Sequence, residues 1–168
     1  MYPSTPDHRP QLPDRESKRR ASERPHVLIA GDDPELSSFL SEGLLLGGFW
    51  VSVIASGIQV LEVFRLRTFD LVVVDATLKG LGAIELIRRL RASSDSDEPL
   101  SDVPVIVIAG SGNEIDPAEV ADVGGDGVIL PPIDIETLIP TLFGIVDEWR
   151  GEHPGRPWAD QAAQSGPQ

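Results

Sequence analysis

The stretch Phe69-Asp70-Leu71-Val72-Val73-Val74-Asp75 decides how this chain folds. A run of Leu and Val bounded by acids is typical of a strand that is buried on both faces of a parallel sheet. The strand ends at Asp75, and a loop from Ala76 to Gly82 follows it. Because ligands bind beyond the carboxyl ends of the strands in an open parallel sheet, Asp75 is the first candidate functional residue.

Apolar strand patterns alternate with helical patterns along the rest of the chain. A capping acid precedes a proline at two predicted helix starts, Asp33-Pro34 and Asp116-Pro117. The alternation predicts an α/β fold, a doubly wound five-stranded parallel sheet of order 2-1-3-4-5 with helices on both faces. The predicted strands cover residues 26–30, 49–54, 69–75, 103–109 and 128–130. The helix predicted over residues 83–91 has Arg88, Arg89 and Arg91 on its solvated face.

The two ends of the chain differ in composition from the middle. Residues 1–25 are rich in Pro, Ser and charge and lack an apolar period, so we expect a disordered N-terminal tail. Residues 26–149 hold the folded domain, and residues 150–168 predict a disordered C-terminal tail. Since no signal segment opens the chain and no apolar stretch is long enough to span a bilayer, we expect a cytoplasmic protein without membrane contact.

The formal net charge of −13 is unevenly distributed. Residues 1–26 carry six Lys or Arg against four acids, a net +2, so the remaining residues carry −15. This argues against a nucleic-acid-binding core, because phosphate contacts need clustered cations. The Lys18-Arg19-Arg20 cluster is best explained as part of a solubilising tail. The chain has no Cys, which excludes thiol chemistry and Cys-ligated zinc.

Acidic residues follow two strands that are neighbours in the predicted order. Asp32 and Asp33 come after the first strand, and Asp75 ends the third. Carboxylates that converge at this edge of the sheet suit a hard cation such as Mg²⁺. Asp33 has an alternative explanation as the cap of the helix that starts at Pro34, whereas Asp75 does not.

Residues 26–149 resemble the receiver domain of bacterial response regulators, which act in two-component signalling. The resemblance rests on four motifs that occur in the order and spacing of that family. They are Val27-Leu28-Ile29-Ala30-Gly31-Asp32-Asp33-Pro34-Glu35, Phe69-Asp70-Leu71-Val72-Val73-Val74-Asp75, Val103-Pro104-Val105-Ile106-Val107-Ile108, and Gly124-Gly125-Asp126 running into Pro132. The resemblance implies a flavodoxin-like receiver fold and a role in a phosphorelay.

By this resemblance, Asp75 is the phospho-acceptor, whose carboxylate attacks the phosphohistidine of a sensor kinase with the help of Mg²⁺. Asp32 and the backbone carbonyl of Thr77 would be further metal ligands, with Asp33 as an auxiliary acid. In the family, a hydroxyl after strand four and a lysine after strand five bind the phosphoryl oxygens. The family passes its signal through the fourth helix, fifth strand and fifth helix, here residues 116–149.

Several family positions carry different residues in this chain. A charge-assisted hydrogen bond contributes about 1.5 to 3 kcal/mol, so losing the hydroxyl and the lysine removes much of the stabilisation of a phosphorylated site. The substituted positions are Gly31 for the first acid, Ala109 for the hydroxyl, Pro131 for the lysine and Val128 for the aromatic switch residue.

Lys79 and Ser111 are the candidate substitutes for the missing cation and hydroxyl. Lys79 lies in the loop after Asp75, and Ser111 comes two residues after Ala109. A lysine in an exposed loop is more often simply solvated, and the glycines beside Ser111 leave its placement open. Neither substitution is therefore favoured.

These observations favour a stand-alone atypical receiver that acts as a protein-interaction module, with weak or absent phosphorylation at Asp75. It would not be an enzyme, beyond accepting a phosphoryl group from a phosphodonor. The alternative is a functional, Mg²⁺-dependent phospho-receiver. A third hypothesis, an α/β phosphatase or nucleotide-binding domain, is disfavoured because Thr77 replaces the second aspartate of haloacid-type phosphatases and no glycine-rich phosphate loop is present.

The expected partners are proteins. A sensor histidine kinase or a downstream signalling protein would bind through residues 116–149, by analogy with the family. Nucleic acid and membrane are not expected partners. The sequence does not set the oligomeric state, and a homodimer stays open.

Overall fold

The computed structural model describes residues 24–92, 102–110 and 115–159. Within these ranges the chain forms a parallel sheet with helices on both faces. The strands are β1 (His26–Ala30), β2 (Trp50–Ile54), β3 (Leu71–Asp75), β4 (Val105–Ile108) and β5 (Gly127–Ile129). The helices are α1 (Pro34–Leu46), α2 (Gly57–Phe64), α3 (Ala83–Ala92), α4 (Pro117–Asp122) and α5 (Ile135–Glu152).

The strand order is β2-β1-β3-β4-β5, and all neighbouring strands are parallel. The predicted fold and strand order are confirmed. In the register, Ala30 of β1 lies opposite Val74 of β3, and Asp75 of β3 lies opposite Ile108 of β4. The ends of β1, β3 and β4 therefore meet at one edge of the sheet, where the strand order reverses.

Alternate strand residues fill two hydrophobic cores, one on each face of the sheet. Leu28 and Ala30 of β1 pack on the face covered by α2, α3 and α4. Val27 and Ile29 pack on the opposite face, against α1 and α5. Because β1, β3 and β4 are buried along their whole length, their sequences are continuous apolar runs.

Capping side chains begin four of the helices, and two of these caps, Asp33 and Asp116, are the ones that the sequence predicted. Asp116 and Asp134 accept hydrogen bonds from the backbone N–H two residues further on. Ser56 accepts one from the N–H of Gln59. Asp33 accepts one from the N–H of Glu35, so its carboxylate serves as the N-cap of α1.

Helices α1 and α5 lie close together because glycines of α1 face α5. A Cβ atom on Gly43 would lie 2.5 Å from Ile135 Cδ1, and one on Gly47 would lie 2.4 Å from Ile139 Cδ1. Real Cβ atoms do not approach carbon so closely. A larger side chain at either glycine would therefore push α5 away from the core that it covers.

Described structure continues past residue 149, where the sequence predicted the folded domain to end. Helix α5 continues to Glu152, and Ala159 is only 4% exposed. Ala159 N–H donates to Asp70 Oδ1 at 3.2 Å, and the Arg150 guanidinium lies 3.6 Å from the centre of the Trp158 ring. The sequence did not indicate the contact with Asp70 because it joins residues 89 positions apart. The predicted tails at 1–23 and 160–168 lie outside the described residues.

The prediction that Arg91 is solvated is wrong. Its side chain is 22% exposed, and it binds the loop between α4 and β5. Arg88 and Arg89, with side chains 58% and 53% exposed, do lie on the solvated face. Among the described residues, no helix has both the length and the apolar character needed to cross a membrane.

Candidate functional site

Asp75 is the last residue of β3 and is 4% exposed. The chain stays in the ladder for one more residue, since Ala76 N–H donates to the Ile108 carbonyl at 2.9 Å. A carboxylate here lies between the turn after β1 and the end of β4. The structure therefore places Asp75 at the edge where the sequence predicted a site.

Thr77 holds one oxygen of this carboxylate. Its backbone N–H and its hydroxyl both donate to Asp75 Oδ1, each at 2.8 Å. Within the described part of the chain, Asp75 Oδ2 has no hydrogen-bond donor. Asp75 and Thr77 thus form a local turn in which side chain and backbone fix Oδ1, and Oδ2 is the oxygen left for other partners.

Thr77 makes contacts besides the role that the resemblance suggested for its backbone carbonyl. Its N–H and its hydroxyl both bind the carboxylate of Asp75. The signal was present in the Asp-x-Thr spacing, because an aspartate commonly accepts hydrogen bonds from the residue two positions further on.

Gly31 lies directly against Asp75. A Cβ atom on Gly31 would lie 3.3 Å from Asp75 Cβ and 3.7 Å from Asp75 Oδ2. Ser37 Oγ would lie 3.4 Å from the same Cβ. The position that carries an acid in the related family therefore adjoins the free oxygen of Asp75, but in this chain it supplies no ligand.

The remaining acids of the site have different surroundings. Asp32 is partly buried, and Asp33 is exposed and caps α1. Within residues 24–92, 102–110 and 115–159, no group of three or more His, Cys, Asp or Glu is arranged to hold a metal ion. The carboxylates available near this edge are those of Asp32 and Asp75.

The end of β4 offers no side-chain hydroxyl at Ala109. Ala109 is 1% exposed, and its N–H donates to the Ile129 carbonyl at 3.0 Å. A Cβ atom on Gly110 would lie 3.6 Å from Thr77 Cγ2, so Thr77 borders the end of β4. Ser111, the candidate substitute, lies outside the described residues.

The end of β5 offers no cation at Pro131, which is exposed. Val128 is half-buried and packs against the core on the α2, α3 and α4 face. Lys79 is exposed, and it makes no ion pair with any residue that the structure describes. The structure therefore does not bring Lys79 to Asp75.

Comparison with known proteins identifies the family. The model of the response regulator receiver domain matches residues 27–143. The transcriptional regulatory protein CseB of Streptomyces avermitilis is 30% identical over 148 residues, covering 86% of this chain. The chain spans 60% of the length of that regulator, which is less than two thirds.

Solved receiver domains share the fold. The receiver domain of the Francisella response regulator 1452 has a TM-score of 0.65 at 23% identity, covering 74% of this chain and 98% of that one. The receiver domain of TorR, the response regulator of the TMAO respiratory system, has a TM-score of 0.61 at 26% identity, covering 74% and 97%. The family match, the strand order and these structures agree, and the chain belongs to the response regulator receiver domain family of two-component signalling.

Proposed function

We propose that this receiver is a protein-interaction module in which phosphorylation at Asp75 is weak or absent. Receiver domains are signalling modules that interact with sensor kinases and effector proteins. The observation that carries the proposal is the pair of residues after β4 and β5, where Ala109 and Pro131 present neither a hydroxyl nor a cation. The proposal is supported by the need of a phosphoryl group at this edge of the sheet for a hydroxyl and a cation that bind its oxygens.

A phosphoryl group needs such partners because it is strongly charged. A phosphoryl group carries about −1.5 to −2 charges at neutral pH. Losing two charge-assisted hydrogen bonds of about 1.5 to 3 kcal/mol each slows its transfer by roughly two to four orders of magnitude. The carboxylate of Asp32 is negative like the phosphoryl group, and the exposed side chain of Lys79 does not neutralise this charge.

The hydrogen bonds that Asp75 accepts from Thr77 also disfavour phosphorylation. A carboxylate oxygen that already accepts two hydrogen bonds is a weaker nucleophile, because the donors stabilise its charge. Oδ1 is held in this way by Thr77, which leaves Oδ2 beside Gly31 for any attack on a phosphohistidine.

Receiver domains typically bind Mg²⁺ at the phosphorylation site, and this chain retains a reduced set of ligands for it. We assign them to Asp32, the Asp75 carboxylate and the backbone carbonyl of Thr77. Two carboxylates suit Mg²⁺, which keeps several waters and takes the rest of its shell from phosphate oxygens. With Gly31 in place of an acid, we expect weak binding; when bound, the ion would neutralise charge on the phosphoryl group.

Intact mass spectrometry of the full chain tests the proposal. The protein is incubated with Mg²⁺ and acetyl phosphate, next to the Asp75→Asn variant. We expect little or no phosphoryl increment in the wild-type chain. Stoichiometric modification that Asp75→Asn abolishes would establish instead the alternative, a functional Mg²⁺-dependent phospho-receiver.

The proposal places the partner surface on residues 116–149, which include α4, β5 and α5. The partner would be a sensor histidine kinase or a downstream signalling protein. Because the module acts by contact, we expect charge reversals on this surface to disrupt partner binding and Asp75→Asn to leave it unchanged.

A further inference from the structure

A small groove lies between the end of β5 and α5. Its volume is 160 Å³, and its wall includes Ile129, Leu130, Pro132 and Ile133. Leu130 is 61% exposed, so an apolar side chain stands at the groove without a covering partner within the described chain. Pockets for drug-sized molecules have volumes of about 300 to 1,000 Å³. The groove is therefore the size of a side chain rather than of a small-molecule ligand.

The segment from residue 116 to residue 149, which includes this groove, carries charge of a single sign. Residues 116–149 contain eight acids and no Lys, Arg or His. Asp116 and Asp134 cap helices, and Asp126 pairs with Arg91 of α3. The other five acids make no ion pair among the residues that the structure describes. They are Glu119, Asp122, Glu136, Asp147 and Glu148, all of them exposed.

A second copy of this chain does not fit this surface. A twofold contact places the same patch on both subunits, so the acids would face acids across the interface. Like charges across an interface oppose association. Without a cation between residues 116 and 149, the surface lacks the mixed charges that self-pairing needs.

The Lys18-Arg19-Arg20 cluster of the same chain is also badly placed. Arg24 stacks over Trp50 of β2, the strand at the edge of the sheet opposite β5. The two edge strands of a five-stranded sheet are about 19 Å apart. The six residue-to-residue steps from Lys18 to Arg24 span about 20 Å when fully extended, which leaves this cluster no slack for passing around the helices.

We propose that the groove binds one apolar side chain of a Lys- or Arg-bearing segment of a different protein, with the surrounding acids binding its cations. Leu130 would contact the apolar residue, and Glu136 and Asp134 would face the flanking charges. The inference rests on the proposed function only in that the module acts by contact. It does not depend on the phosphorylation state of Asp75.

Selection from a displayed library of random 12-residue peptides tests this inference, with the full chain as bait. We expect the enriched peptides to combine an aliphatic residue with flanking Lys or Arg. A synthetic consensus peptide should bind at least tenfold more weakly to Leu130→Ser and to Glu136→Lys. Its affinity should also fall as salt is raised, because exposed charges are screened.

Matched variants on another surface serve as controls. Leu66→Ser removes an apolar side chain that is 84% exposed, and Glu62→Lys reverses an exposed acid of α2. Both should bind the peptide like the wild-type chain. Enrichment of acidic or uncharged peptides, or equal loss in the control variants, would overturn the inference.

Two further measurements address the other occupants. Removing residues 1–23 should leave the peptide affinity unchanged, and a tenfold gain would show that the tail occupies the groove. Sedimentation should give a monomer, and a dimer that Leu130→Ser disrupts would overturn the inference in favour of self-association. Peptide binding is measured on unphosphorylated protein. Phosphorylation of Asp75, detected separately by mass spectrometry, would contradict the proposed function but would not affect the peptide-binding result.

Discussion

The Arg91 guanidinium lies 3.1 Å from the Asp126 carboxylate and joins the end of α3 to the start of β5. It also donates to the carbonyls of Val103 at 2.7 Å and Gly124 at 2.8 Å. Burial lowers the pKa of Arg91, and the charges of Asp126 and Asp102 oppose that shift. Arginine nevertheless stays charged at neutral pH, so this side chain is a partly buried cation with several acceptors.

We expect Arg91→Ala to lower the free energy of unfolding by about 2 to 3 kcal/mol, because the acceptors at Val103, Gly124 and Asp126 lose a charged donor together. Arg91→Lys should recover only part of this, since an ammonium cannot reproduce the planar fork. Urea denaturation followed by circular dichroism measures both. Arg88→Ala, on the exposed face of the same helix, is the matched control and should change stability by less than about 0.5 kcal/mol. An equal effect of the two alanine variants would contradict this account.

Asp70 connects the two ends of the described fold. Its Oδ2 accepts from His26 N–H at 2.7 Å and its Oδ1 from Ala159 N–H at 3.2 Å. We expect Asp70→Ala to cost about 2 to 4 kcal/mol, because two buried N–H groups lose their acceptor. The C-terminal segment should also detach, and limited chymotrypsin digestion should then cut after Trp158 faster than in wild type. Asp122→Ala, at an exposed acid, should leave both stability and digestion unchanged.

Much of this fold was predictable because its signals are local. Continuous apolar runs such as Leu71 to Asp75 mark buried parallel strands, and Asp-Pro pairs mark helix starts. The docking of Ala159 onto Asp70 was not predictable, because it joins residues 89 positions apart through a backbone N–H that has no sequence signature. Arg91 was misplaced for the same reason, since its acceptors are carbonyls of distant loops.

The candidate site was predictable to a similar extent. The place of Asp75 followed from the strand order, which is itself a consequence of the alternating pattern. The two hydrogen bonds from Thr77 had a sequence signal, but the position of the free oxygen beside Gly31 depends on packing of β1 against β3. Such a distance between strands requires coordinates.

The contribution of Glu85 to the stability of α3 depends on pH. Its carboxylate pairs with Arg89 and Arg88, which lower its pKa below the usual value of 4.5. Because the pKa is lower in the folded state, the stabilisation by Glu85 is complete above about pH 4.5. It is lost as the pH falls through the pKa that Glu85 has in the folded state. We expect Glu85→Gln to reduce stability slightly at pH 7 and not at pH 2.5. Thermal unfolding at both pH values measures this, with Glu62→Gln as an exposed control; a difference that persists at pH 2.5 would contradict the ion-pair explanation.

The Thr77 hydroxyl should stabilise the loop after β3. Thr77→Val keeps the shape and the backbone N–H but removes one donor to Asp75 Oδ1. We expect a loss of about 0.5 to 1.5 kcal/mol in the free energy of unfolding, the usual contribution of one hydrogen bond. Thr77→Ser should retain most of the wild-type stability in the same urea titration. If the serine variant is as unstable as the valine variant, the methyl group beside Gly110 contributes as much as the hydroxyl.

Restoring the family residues should restore phosphorylation at Asp75. Ala109→Thr with Pro131→Lys returns a hydroxyl and a cation to the ends of β4 and β5, and we expect phosphorylation by acetyl phosphate with Mg²⁺ to accelerate by roughly two to four orders of magnitude. Adding Gly31→Asp should strengthen Mg²⁺ binding, although its Cβ would lie 3.3 Å from Asp75 Cβ and the strands must shift by a few tenths of an ångström to accept it.

The restored variants separate two explanations of weak phosphorylation. If the missing ligands are the cause, the double variant should gain a phosphoryl mass increment that Asp75→Asn removes. Introducing the same residue types at exposed positions of α2, as in Ile58→Thr with Gln59→Lys, controls for the added charge. A double variant that stays unmodified while folding like wild type would show that the geometry of Asp75, held by Thr77, and not the missing hydroxyl and cation, limits the reaction.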